Sequence, residues 1–151
     1  KSPLCQSRFW GCDRESIEVQ LTGPAVHAIS VREGSLSYQA TAQESLSVVT
    51  SQDADFTISS KGIINKLSVS ATGGSIDASN ATISTVSVSG VRSSNYFANI
   101  ASLEIATQTD SCSSEPVRIH AQHMGKVSVN GQEWDRSNIY PCLTITDGNQ
   151  M

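Results

Sequence analysis

The sequence predicts an all-β fold, a short right-handed parallel β-helix of about six rungs with disulfide-stapled end segments. Three observations predict it: a recurring apolar–small polar–apolar triplet, an apolar residue three positions ahead of most triplets, and a composition poor in helix formers. An antiparallel β-sandwich, which also shows many short strands, is the rival architecture.

The triplets are Ile29-Ser30-Val31, Leu46-Ser47-Val48, Leu67-Ser68-Val69, Val86-Ser87-Val88, Leu103-Glu104-Ile105 and Val127-Ser128-Val129, at intervals of 17, 21, 19, 17 and 24 residues. Strand alternation sends the outer members of each triplet to one face and the middle member to the other. Stacked rungs would gather the outer members into interior columns, because a single rung cannot bury its own apolar face. Three positions ahead stand Val26, Ile64, Ile83, Ile100 and Met124, with Gln43 the exception. A sandwich has no reason to repeat that phase.

After each triplet comes a second short strand, read as Leu36-Ser37-Tyr38, Phe56-Thr57-Ile58, Ile76-Asp77-Ala78, Tyr96-Phe97-Ala98 and Val117-Arg118-Ile119. Gly62, Gly73, Gly74, Gly90 and Gly125 fall between strands, where corners need positive φ or close backbone approach. Charged residues make up only 16% of the chain, against about 25% in ordinary globular proteins. Ser, Thr and Val suit a pleated surface better than a helix.

The solenoid is expected over residues 25–131, between capping segments 1–24 and 132–151, all in one domain. Phe9 and Trp10 lie near Cys5 and Cys12, and Trp134 and Tyr140 near Cys142. These aromatics read as plugs over open sheet edges, or as a binding patch in which Trp10 and Trp134 take part. No CxxC pair occurs among Cys5, Cys12, Cys112 and Cys142. The even count reads as two disulfides, with Cys5–Cys12 and Cys112–Cys142 the preferred pairing of three, and implies an oxidising compartment. Asn80-Ala81-Thr82 is a glycosylation sequon.

The segment GGSIDASNATISTVSVSG, residues 73–90, resembles the repeats of autotransporter adhesin head domains of the GIN-type β-solenoid kind. The likeness is looser over 46–69 and 91–129. It implies a right-handed β-helix at the cell surface or secreted, with no catalytic residues to carry over.

Charge excludes some classes. A net charge of −4 and a pI near 5.2 give no basic footprint for nucleic acid. No apolar run of about 20 residues is present, so no transmembrane segment is expected. The start at Lys1 without an apolar stretch implies that a targeting segment is absent or already removed.

The expected function is non-enzymatic: a secreted or cell-surface module acting in adhesion or as a structural subunit, meeting a protein or glycan partner or associating with itself through its ends. The candidate binding residues are the exterior column Ser30, Ser47, Ser68, Ser87, Glu104 and Ser128 together with the two tryptophans. The alternative is a carbohydrate-binding or carbohydrate-cleaving domain using Asp53, Asp55 and Asp77 on one face. His120 and His123, spaced as HxxH, read as surface residues. No metal, cofactor or catalytic residue is expected.

Overall fold

The computed structural model describes residues 23–108 and 115–148. Its strands are β1 (Ala28–Val31), β2 (Ser35–Tyr38), β3 (Gln43–Ser51), β4 (Asp55–Ile58), β5 (Ile63–Thr72), β6 (Ser75–Ala78), β7 (Thr82–Val91), β8 (Ser94–Ala106), β9 (Val117–Val129), β10 (Gln132–Glu133) and β11 (Leu143–Asp147). All pairings between named strands are parallel except that of β10 with β9. The chain is a parallel β-solenoid of about five turns.

One ladder stacks β1, β3, β5, β7, the C-terminal part of β8 and that of β9. A second stacks β2, β4, β6, the N-terminal parts of β8 and β9, and β11. The triplets hold their register: Leu46 lies over Leu67, then Val86, Leu103 and Val127, while Val48 lies over Val69, Val88, Ile105 and Val129. Every one of these residues is buried. Each ring of apolar side chains closes the interior of the next, which is why repetition stabilises what one turn cannot.

The residue three ahead of the triplet also stacks, Gln43 over Ile64, Ile83, Ile100 and Met124. Alternation alone would put Ile64 and Leu67 on opposite faces. Both are buried, and between them Asn65 and Lys66 are both exposed, so the chain bends at that point in each turn. Gln43, at the top of this column, is polar because it serves the turn above it. Its Nε2 donates to the Val26 carbonyl at 2.9 Å and its Oε1 accepts from the Tyr38 hydroxyl at 2.9 Å.

Three strand placements need correction. In β1, Ile29 stacks on Val48 and Ser30 on Val49, so the first triplet is displaced by two residues and Ser30 leaves the serine column. In β8, the short strand aligns Asn95-Tyr96-Phe97 with Ile76-Asp77-Ala78, one residue earlier than the sequence suggested. Tyr96 therefore faces solvent at 43% exposure, while Asn95 is fully buried. The cause is volume: Phe97 sits between Ala78 and Ala121 in its column, small neighbours that leave room for its ring. The same alignment makes Ile119-His120-Ala121 the next inward-outward-inward set, two residues later than the expected Val117-Arg118-Ile119.

The C-terminal segment both caps and extends the solenoid. Asn130 and Gly131, with φ of 51° and 83°, form a two-residue hairpin turn of the kind that positive φ at both positions permits. The turn folds β10 back on β9. Trp134 then donates its backbone N–H to the Val127 carbonyl at 2.8 Å, and Trp134 and Tyr140 pack against the core. Arg136 Nη2 reaches Asp147 Oδ2 at 3.0 Å, across the last turn. Cys142 is buried, and the described residues include no free cysteine. Cys5, Cys12, Cys112, Phe9 and Trp10, and with them the expected disulfide pairing, lie outside the described residues.

Candidate functional site

The outward side of the long ladder is a regular surface built from stacked strands. Ser47, Ser68, Ser87, Glu104 and Ser128 stack in unbroken register along its middle. On one side run Ser45, Lys66, Thr85, Ser102 and Lys126, and on the other Val49, Ser70, Ser89 and Ala106. The sequence showed one column where the structure has three, because the flanking positions follow the period-2 alternation without repeating one residue type. Small side chains in the middle and longer Lys126, Glu133 and Asn130 at the C-terminal rim leave a shallow trough of about 830 Å³. Its floor offers hydroxyls as both donors and acceptors, with Glu104 the one carboxylate in the central column.

The acidic residues do not form one site. Asp53 sits at a corner, φ 58°, and belongs to no strand. Asp55 accepts from Ser75 Oγ at 2.7 Å. Asp77 accepts from the Ser79 backbone N–H at 3.1 Å and its hydroxyl at 2.6 Å, a local bond that fixes the turn after β6. Asp55 and Asp77 do share the outer face of the short ladder, on successive turns and two residues apart in register. Asn80, at the sequon, points its Nδ2 at the Ile58 carbonyl at 3.4 Å.

Asp77 belongs to a column whose upper members, Ser37, Thr57 and Asp77, the sequence placed at the middle of the short strands, and whose lower members it did not reveal. Ser37, Thr57, Asp77, Tyr96, His120 and Thr146 stack in register. The next column holds Ser35, Asp55, Ser75, Ser94, Arg118 and Thr144. The Tyr96 and His120 rings are 6.1 Å apart and tilted by 54°. His123 lies past a bend at Gln122 and His123, both exposed, so the HxxH pair straddles a corner. No group of three His, Cys, Asp or Glu suited to a metal occurs among the described residues.

Trp134 lines a second hollow of about 530 Å³ with Met124, Lys126, Arg136 and Asp147. Its packing against the core makes it part of the end plug. No described helix is long and apolar enough to cross a membrane. Compared with known proteins, the chain matches no family model, no curated protein and no solved structure. Fold and surface chemistry therefore carry the functional reading.

Proposed function

We propose that this chain is a non-enzymatic β-solenoid module of the cell surface or extracellular space, acting in adhesion or as a subunit of an assembly. One observation carries the reading: the in-register hydroxyl face formed by Ser47, Ser68, Ser87 and Ser128 around Glu104. A rigid, repeated backbone holds these groups at a strand spacing of about 4.8 Å, so a partner meets a preorganised surface and little ordering cost is added on binding. An even count of four cysteines, Cys142 buried among them, fits an oxidising compartment.

The test is adhesion of beads coated with the chain to intact cells and extracellular matrix. A Ser68→Arg/Ser87→Arg variant fills the trough without touching the core, and surface changes of this kind shift stability by only about 0.5 kcal/mol. Adhesion should fall at least about tenfold, the equivalent of about 1.4 kcal/mol, while circular dichroism is unchanged. Equal adhesion by both proteins would remove the hydroxyl face from the account. For the assembly role, sedimentation over a hundredfold concentration range should reveal self-association through the ends; a monomer throughout excludes it.

The carbohydrate-cleaving alternative asks for two carboxyl groups facing each other across a sugar. Asp53 at its corner and Asp55 and Asp77 on their hydrogen-bonded serines favour local turn and strand roles over that chemistry.

A further inference from the structure

We infer that the outer face of the short ladder is a saccharide-binding site for a neutral glycan, centred on Tyr96 and flanked by Asp77 and His120. The inference deepens the adhesive reading, on which it rests, by naming a partner class and a second face.

Tyr96 lies one strand below Asp77 and one above His120, at about 4.8 Å per step. It is the one aromatic among the large exposed apolar residues of the described chain, at 43% exposure. The rest of its column is Ser37, Thr57 and Thr146, so nothing in the fold requires a ring at this level. In the neighbouring column Ser94 stands between Ser75 and Arg118, and the Arg118 side chain is 53% exposed, with Glu115 at 3.7 Å.

A sugar needs both parts of this arrangement. Its C–H face packs on an aromatic ring that presents an apolar body and a polar tip. Its hydroxyls need donors and acceptors beside the ring, which Asp77, His120, Arg118 and the serines supply. Ser79 holds Asp77 Oδ1 with its backbone N–H and hydroxyl, fixing the carboxylate's orientation. A carboxylate has about four acceptor sites, so capacity for sugar hydroxyls remains.

The same face is unsuited to other partners. Protein interfaces bury an apolar centre with aromatic anchors clustered together, and here Tyr96, with the His120 ring beside it, is surrounded by hydroxyl and charged groups. Asp55 and Asp77 disfavour anionic chains, and Arg118 already has Glu115 beside it. Neutral sugars remain.

The test is a printed panel of neutral oligosaccharides (glucose, mannose and galactose tetramers) with uronic acid oligomers beside them. It is probed with the wild-type chain and with Tyr96→Ala, Tyr96→Phe, Asp77→Asn and Ser68→Arg/Ser87→Arg. Thermal melts confirm that each variant folds. The expected result is binding to at least one neutral set, weakened about tenfold by Tyr96→Ala, retained by Tyr96→Phe, weakened by Asp77→Asn and unaffected by the double arginine change. Three outcomes overturn the inference: no glycan bound, preference for uronic acids, or binding lost with the double arginine change and kept by Tyr96→Ala. Bead adhesion measured on the same proteins separates the two readings, since adhesion without glycan binding leaves the module's adhesive role standing.

Discussion

Gly90 lies so close over Ala71 that a Cβ on Gly90 would collide with the Ala71 carbonyl oxygen. The contact ends a column that tapers from Val31 through Thr50 and Ala71 to Gly90. Gly90 also has a φ of 122°, outside the range of other residues. Gly90→Ala should therefore cost about 2–4 kcal/mol, strain and overpacking together. Urea unfolding should show a lower midpoint with an unchanged slope; an unchanged midpoint would mean that the end of β7 relaxes freely.

The same column holds a defect. Thr50 is 1% exposed, and its hydroxyl has no hydrogen-bond partner. Thr50→Val keeps the shape and removes an unsatisfied polar group. It should stabilise the chain by about 1 kcal/mol, read as a rise in thermal midpoint. A fall would indicate that the hydroxyl is satisfied in solution.

Leu67 is fully buried in the third tier of the long ladder, with Leu46 and Val86 stacked on either side. Leu67→Ala should cost about 2–5 kcal/mol. Because turns of a solenoid contact mainly their neighbours, exchange protection should fall first in β3, β5 and β7. Uniform loss along the chain would indicate one indivisible cooperative unit.

At the other end, Arg136 is a cap residue that reaches the last strand. The Asp147 side chain is 8% exposed and pairs with the half-exposed Arg136 side chain. Asp147 continues the inward column of Phe97 and Ala121, so Arg136→Ala leaves a carboxylate at the base of the core with one charged partner fewer. A cost of about 1–3 kcal/mol is expected, with amide exchange accelerated in β11 and little changed in β3 and β5. Equal protection in β11 would show the pair to be dispensable.

How far the sequence reaches is visible in particular residues. Leu46, Leu67, Val86, Leu103 and Val127 announced their column because each pairs an apolar residue with another two positions on, at intervals near one turn. The bend at Asn65 and Lys66 was implicit in an apolar residue three ahead of the triplet. The hairpin at Asn130 and Gly131 carried a recognisable turn signal that the repeat obscured.

The sequence by itself determined that turns stack and which triplet residues face inward, since a constant phase of apolar side chains leaves one way to bury them all. Tertiary structure alone decided the displaced register of β1, the breadth of the hydroxyl face, and the exchange that buries Asn95 and exposes Tyr96. Alternation fixes a strand only up to a one-residue slip, and at Asn95-Tyr96-Phe97 either choice buries an aromatic. The space between Ala78 and Ala121 breaks that tie, and it exists only once the turns above and below are in place.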